Sequence, residues 1–199
     1  MVEKRDVRSF FDRLAPGWDA ETVRNEPVIA RILDNAGVRE GCTVLDVACG
    51  TGVLFGDYVR RGAAQVTAID LSPEMAARAA AKAGGSPVTV LCGDVETDVR
   101  VRENAPYDVV MVYNALPHFP DPARLVRTLA GLVKAGGHLS IAHGMSRAAL
   151  DAHHSGCARD VSVGLLHEEE LKSLMAAYLD VDTVISDGEM YQVCGKKRG

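Results

Sequence analysis

The stretch VLDVACGTGV, residues 44–53, decides how the rest of the chain is interpreted. Its first half is apolar and β-branched, which predicts a buried strand that breaks at the glycines. Gly50 and Gly52 lack side chains, so the turn can be tight and a ligand can approach the backbone. Asp46 lies just before this turn. In a doubly wound sheet, a nucleotide-like ligand binds outside the carboxyl end of the first strand, where these residues would lie.

Short apolar runs alternate with longer helical patterns beyond this turn, which predicts an α/β fold with a mainly parallel sheet. We expect one domain over residues 1–199, with a helical flap at 1–38 and the core at 39–199. The expected strands are 43–48, 65–70, 87–94, 107–114 and 136–144, followed by short runs at 181–186 and 189–195. The expected helices between them are 72–85, 121–137 and 167–178.

The composition of the chain limits its function classes. A net charge of −5 argues against a nucleic-acid partner, because a surface that neutralises phosphates needs clustered Lys and Arg. No run of about 18 apolar residues occurs, so we expect no membrane span. Five scattered cysteines and a charged N-terminus without an apolar targeting segment favour reduced thiols and a cytoplasmic protein.

Acidic residues also end the next two expected strands. Asp70 lies 18 residues beyond Gly52, where a carboxylate can accept hydrogen bonds from two ribose hydroxyls, and Asp94 is placed near an adenine amino group. A dinucleotide site usually reads GxGxxG, but Phe55 replaces its third glycine. A carboxylate at Asp46 would also repel a pyrophosphate. It favours a ligand with a cationic amine, and S-adenosylmethionine has one.

Five motifs together resemble the class I S-adenosylmethionine-dependent methyltransferases. In order over about residues 43–143 they are VLDVACGTG, AIDLSPEM, GDV, YDVVMVYNALPHF and LAGLVKAGGHLSI. The preceding FFDRLAPGWD is similar to the opening of the ubiquinone/menaquinone-biosynthesis methyltransferase type, in which this segment lies across the cofactor. The resemblance implies a Rossmann-like, doubly wound sheet of seven strands, mostly parallel with an antiparallel last strand and helices on both faces. NALPH stands where amine methyltransferases often have NPPY, so nothing supports an exocyclic-amine substrate.

The resemblance also implies which residues hold the cofactor. These are Asp46, Ala48, Gly50 and Gly52 at the methionine end, Asp70 at the ribose, Leu71 and Met75 against the adenine, Asp94 and Val95 at its amino edge, Asn114 and Ala115 at the sulfonium, and Trp18 in the flap.

The six histidines all lie at or beyond residue 118, and two of them lie at or near the start of an element. His138 begins an expected strand at the end away from the site, so we expect a structural role for it. His167 heads the last expected helix, where it can act as a cap. A metal site is an alternative for part of this set, although its irregular spacing matches no zinc signature. Its ligands would be His143, His153 or His154, Cys157 and His167.

The remaining candidates are expected to rim an acceptor pocket. His143 ends the strand that His138 begins, and His118 follows the fourth strand, so both are placed at the carboxyl edge. A helix over residues 146–154 would put Arg147 and His154 on one face. Imidazole can take a proton near neutral pH, and Arg147 could hold an anionic group. Polar residues on a wet rim are the alternative reading.

These features predict a methyltransferase that uses S-adenosylmethionine, yields S-adenosylhomocysteine, and acts on a small molecule through an O-, C- or S-nucleophile. We expect a monomer or homodimer. One alternative is an NAD(P)-dependent oxidoreductase. Others are a metal- or metalloid-linked methyltransferase and a non-enzymatic binder that keeps only the cofactor pocket.

Overall fold

The structure is a computed structural model that describes residues 2–154 and 159–199, without the side chains of residues 151–159. In this part of the chain the strands are β1 (Thr43–Val47), β2 (Gln65–Asp70), β3 (Val88–Cys92), β4 (Tyr107–Tyr113), β5 (Val133–His143), β6 (Leu179–Ser186) and β7 (Tyr191–Lys197). The helices are α1 (Lys4–Leu14), α2 (Trp18–Glu21), α3 (Glu26–Asn35), α4 (Phe55–Arg60), α5 (Pro73–Ala83), α6 (Val99–Glu103), α7 (Pro122–Ala130), α8 (Arg147–His154) and α9 (Glu168–Ala176). Short 3₁₀ turns occur at Leu116–His118 and Arg159–Val161.

The strands form one seven-stranded sheet in the order β3-β2-β1-β4-β5-β7-β6. Strands β1 to β5 pair in parallel, whereas β7 lies antiparallel to both β5 and β6. This arrangement confirms the predicted Rossmann-like, doubly wound α/β fold with an antiparallel last strand. The strand order reverses next to β1, and ligands of open α/β sheets bind at such a point.

The register brings the functional loops to one edge of the sheet. Val47 is opposite Ile69 on one side and Val112 on the other, and Tyr113 is opposite Ala142. Parallel strands in this register end at the same level. The turns after β1, β2, β4 and β5 therefore meet at the carboxyl edge.

Each face of the sheet is covered by helices. On one face Val47, Val112 and Ile141 join a buried cluster with the apolar sides of α7 and α9. On the other face Val44 and Ala68 join a second cluster with α3, α4 and α5. Strands β1, β2, β4 and β5 contribute buried residues to both clusters, which explains their apolar runs.

Caps define the helix starts that the sequence predicts. The Ser72 hydroxyl accepts from the backbone N–H of Met75 at 3.1 Å, and Asp121 accepts from that of Arg124 at 2.9 Å. His167 caps α9, where its side chain and that of Glu170 form a capping box. Each cap is the first residue of a predicted helical range, and the expected capping role of His167 is confirmed.

One predicted helix is too long. The pattern over residues 121–137 placed Leu132 on the apolar stripe of a single helix, but α7 ends at Ala130 and β5 begins at Val133. Leu132 is still buried, because the turn after α7 directs it into the same core cluster. Apolar spacing alone does not distinguish these two routes into the core.

Among the helices of residues 2–154 and 159–199, none combines the length and apolar character needed to cross a bilayer.

Candidate functional site

The turn after β1 has the backbone conformation that its glycines allow. Ala48 (φ 53°), Gly50 (φ 56°) and Gly52 (φ 84°) all lie in the left-handed region. A Cβ atom on Gly52 would stand 2.5 Å from the ring of Phe55, so only glycine fits there. Phe55, which stands at the third glycine position of the dinucleotide motif, therefore packs directly onto the turn.

Asp46 is a buried carboxyl at the base of this turn. Its exposed fraction is 2%, and Oδ2 has no hydrogen-bond partner among the described residues. Burial, followed by repulsion from Asp70, raises the pKa of Asp46 to about 8, and the neighbouring Tyr58 partly offsets this rise. A buried acceptor without a donor is costly, so this position suits a ligand that brings a cationic amine.

Asp70 ties the ends of β1 and β2 together. Its Oδ2 accepts from the backbone N–H of Gly50 at 2.8 Å, and its Oδ1 accepts from that of Ser72 at 2.8 Å. Burial raises the pKa of Asp70, and the backbone donors oppose the shift. A carboxylate offers about four acceptor positions, so capacity for ribose hydroxyls remains after these two bonds.

The other implied cofactor residues line the same edge of the sheet. Met75 and Val95 are buried, whereas Leu71 is half-buried. Asp94 accepts from the backbone N–H of Glu96 at 3.1 Å and pairs with Lys4 at 2.6 Å. The residues that the resemblance assigns to the adenine thus follow β2 and β3, and Lys4 of the flap is bound to Asp94.

The residues after β4 form an exposed corner. Asn114 has φ 56°, and its Oδ1 accepts from the backbone N–H of Gly144 at 2.9 Å. Ala115 is buried behind it. A non-glycine residue with positive φ is uncommon and is frequent at functional sites. This corner links the ends of β4 and β5 beside the β1 turn.

The N-terminal segment contacts the turns after β1 and β2. Asp19 accepts from the Thr51 hydroxyl at 2.5 Å, and Asp12 accepts from the Ser72 hydroxyl at 2.5 Å. Trp18 lies over the glycine turn, because a Cβ atom on Gly50 would be 3.9 Å from its Nε1. The segment therefore covers the turns after β1 and β2.

His118 lies between the flap and the segment that follows α8. Its ring packs edge-to-face on Phe11 with centroids 4.9 Å apart, and its Nδ1 is 2.9 Å from the carbonyl oxygen of Val161. A carbonyl oxygen can only accept, so this contact assigns the proton of the neutral ring to Nδ1. Nε2 is then the ring nitrogen that can take up a proton.

His143 and Arg147 lie behind this edge. The His143 imidazole is 1% exposed and packs edge-to-face on Tyr191 at 6.1 Å, because alternate residues of β5 face α7 and α9. The role of His143 at an acceptor pocket stays a prediction. Arg147 approaches Glu168 at 3.7 Å, at the start of α9. The side chain of His154 is outside the described residues.

His138 lies away from the candidate site. His138 contacts Asp182 at 3.2 Å at the opposite end of the sheet from the β1 turn. Among the side chains that the structure describes, no group of three or more His, Cys, Asp or Glu is arranged as a metal site. Cys157 and the side chains of His153 and His154 lie outside the described residues.

Sequence reasoning missed several polar residues of the site. Thr51 and Ser72 stand inside the quoted motifs but look like ordinary turn and cap residues. Asp12 and Asp19 are the two acids of FFDRLAPGWD, so their recurrence in that motif was the available signal. Lys4 lies before every motif and carried no signal.

Several known proteins that are similar to this chain are methyltransferases. A family model described as a methyltransferase domain matches residues 45–141. The ubiquinone biosynthesis O-methyltransferase of Serratia proteamaculans is 43% identical over a match of 146 residues, with coverage of 69% of this chain and 60% of that protein. The Vibrio cholerae protein of the same name is 34% identical over a match of 146 residues, with coverage of 69% of this chain and 59% of that one. The chain thus spans about three fifths of these curated relatives.

Solved structures share the fold. Magnesium protoporphyrin IX methyltransferase from Synechocystis, solved with bound S-adenosylhomocysteine, has a TM-score of 0.73 and 16% identity, covering 98% of this chain and 100% of that one. A putative methyltransferase in complex with the Haloferax volcanii Trm112 activator has a TM-score of 0.75 and 20% identity, covering 95% and 98%. At such identities these likenesses show the fold alone.

Proposed function

The chain belongs to the class I S-adenosylmethionine-dependent methyltransferases, and we propose that it transfers a methyl group from S-adenosylmethionine to a small-molecule acceptor. The observation that carries this proposal is the buried Oδ2 of Asp46, which has no partner within the described part of the chain. It lies under a left-handed glycine turn, beside a second buried carboxyl. A cationic amine next to ribose hydroxyls matches that pair of acids.

The residues present fit the cofactor along its length. Asp46 would neutralise the amine, Asp70 would accept from the ribose diol, and Asp94 would accept from the adenine amino group. Ala48, Gly50 and Gly52 would line the methionine end, Leu71, Met75 and Val95 the adenine, and Asn114 and Ala115 the sulfonium, with Trp18 as the cover. When bound, S-adenosylmethionine supplies a methyl group on a sulfonium and leaves as S-adenosylhomocysteine.

His118 is the base that we propose for the acceptor. The Val161 carbonyl holds its ring through Nδ1, and an imidazole at this position could take a proton from an acceptor group near neutral pH. The His118 ring packs on Phe11, and the ring centroids of Phe11 and Trp18 are 5.6 Å apart. His118 is therefore close to the flap residues that lie over the glycine turn. His143, His154 and Arg147 stay candidates for the acceptor side. Arg147 would supply positive charge that Glu168 holds in place.

The acceptor that we propose is a small molecule with an acidic hydroxyl. The curated relatives are named as ubiquinone biosynthesis O-methyltransferases, and a base next to the transfer site suits a hydroxyl that must lose its proton. Nothing in the site favours the oxidoreductase alternative, since Phe55 fills the position of the third dinucleotide glycine.

Transfer of a labelled methyl group to a panel of phenols and other hydroxyl compounds tests this function. We expect turnover with at least one of them, and a fall of about 10²–10⁴-fold in His118→Gln with unchanged affinity for S-adenosylhomocysteine. His138→Gln, at the far end of the sheet, is the matched control and should keep full turnover. No transfer by the wild type, or full turnover in His118→Gln, would contradict the corresponding part of the proposal.

A further inference from the structure

Lys4 stands between two carboxylates at the adenine end of the candidate site. Its Nζ is 2.6 Å from Oδ2 of Asp94 and also contacts Oε2 of Glu96. The side chains of Lys4, Asp94 and Glu96 are 27%, 23% and 6% exposed, so the ammonium is largely withdrawn from water. The partners are 90 and 92 residues away in sequence, so this contact joins the flap to the end of β3.

The charges around Lys4 balance. Arg124 of α7 donates two hydrogen bonds to the Glu96 carboxylate, from Nε at 2.6 Å and from Nη2 at 2.9 Å, and so forms a bidentate pair. These cations hold the pKa of Glu96 below its usual range, with Arg124 as the larger cause. Two carboxylates, those of Asp94 and Glu96, thus face two cations, those of Lys4 and Arg124. Without Lys4, the carboxylates of Asp94 and Glu96 would repel each other across the gap.

We propose that Lys4 is a positioning residue that fixes the Asp94 carboxylate for the adenine amino group of the cofactor. This inference rests on the proposed function. Lys4 holds Oδ2 of Asp94, and the backbone N–H of Glu96 holds Oδ1. Two bonds fix the plane of the carboxylate and leave acceptor capacity for the donor on adenine.

The same contact ties adenine binding to the cover of the methionine end. Lys4 is the first residue of α1, and Phe11 on that helix packs on Trp18 at 5.6 Å. The helix is therefore anchored at Asp94 and extends towards the glycine turn. Lys4 acts at one end of the cofactor and orients the segment that covers the other.

Paired ligands separate adenine positioning from a general effect on the flap. S-adenosylhomocysteine carries the 6-amino group, and its purine analogue has hydrogen in that place. Affinities for both are measured by calorimetry for the wild type, Lys4→Met and Lys4→Arg. The control Lys82→Met removes a different flap contact, the 2.6 Å pair of Lys82 with Asp19, without touching Asp94. Thermal unfolding of each variant checks that it is folded.

In Lys4→Met, affinity for S-adenosylhomocysteine should fall about tenfold, the order of one charge-assisted hydrogen bond. Affinity for the purine analogue should change by less than about twofold, because the coupled donor is absent. Lys4→Arg should recover most of the loss, and Lys82→Met should not discriminate between the ligands.

An equal loss for both ligands would overturn the inference, since Lys4 would then only hold the flap. No loss for either ligand would overturn it as well. Wild-type protein that binds neither ligand would instead defeat the proposed function, and this inference with it.

Discussion

Replacing Asp46 by asparagine should flatten the pH dependence of folding stability in the ligand-free protein. The pKa of this carboxyl is raised from 3.8 to about 8 in the folded state, chiefly by burial. Between these two values the folded state keeps a proton that the unfolded chain has released. The contribution of the Asp46 carboxyl to the free energy of unfolding is therefore greatest at low pH, and it is lost as the pH rises towards 8.

The magnitude follows from that pKa difference. One proton held only by the folded state changes the free energy of unfolding by about 1.4 kcal/mol per pH unit. Between about pH 5.5 and pH 7.5, Asp46 should remove about 2.5 kcal/mol of stability, slightly less than the full slope because ionisation begins near the upper limit. Asparagine has the same shape and no titration, so the variant should lack this component.

Urea unfolding at these two pH values measures the slope. Between the two pH values, the free energy of unfolding of the wild type should fall by about 2–3 kcal/mol more than that of Asp46→Asn. Asp34→Asn is the matched control, because that carboxyl is 67% exposed and paired with Arg61 on the surface. Its slope should equal that of the wild type. Parallel slopes for the wild type and Asp46→Asn would refute the assignment of a buried, protonated carboxyl.

Three further substitutions, one of them with a matched control, test neighbouring features. Asp70→Asn should weaken binding of S-adenosylhomocysteine by about 1–3 kcal/mol through the lost charged acceptor, and an unchanged calorimetric affinity would remove Asp70 from the ribose site. Gly52→Ala should lower the free energy of unfolding by about 1–3 kcal/mol, because the new methyl group meets Phe55 at 2.5 Å and φ is positive. Gly85→Ala has a positive φ with no neighbour within 4 Å, so urea unfolding should show a smaller loss; equal losses would argue against the contact with Phe55. His143→Ala should keep the affinity for S-adenosylhomocysteine yet lower the thermal unfolding temperature, because the ring is packed in the core, and a lost affinity would place it in the cofactor site.

The sheet could be predicted from the sequence because its signals are local. Strand β2 spans the predicted residues Gln65–Asp70, and each parallel strand is apolar on both faces. The positions of Asp46 and Asp70 follow from the same pattern, since both stand at strand ends that parallel pairing brings together. Strand direction also placed His138 away from the site.

The flap contacts and the depth of the histidines could not be predicted in this way. The pairing of Lys4 with Asp94 joins residues 90 positions apart and has no periodicity to reveal it. The burial of His143 depends on which face of β5 its side chain takes and on what packs there. An apolar alternation around a histidine fits a core position and a pocket position equally well.

Calorimetric titration with S-adenosylmethionine, with Trp18 fluorescence as a second signal, tests the central claim most directly. Trp18 is the only tryptophan, and its Nε1 lies at the glycine turn. We predict micromolar binding of one S-adenosylmethionine per chain, a change in Trp18 emission, and no binding of NAD. Binding of NAD without S-adenosylmethionine, or binding of neither, would contradict the assignment of Asp46 and Asp70 to a cofactor amine and ribose.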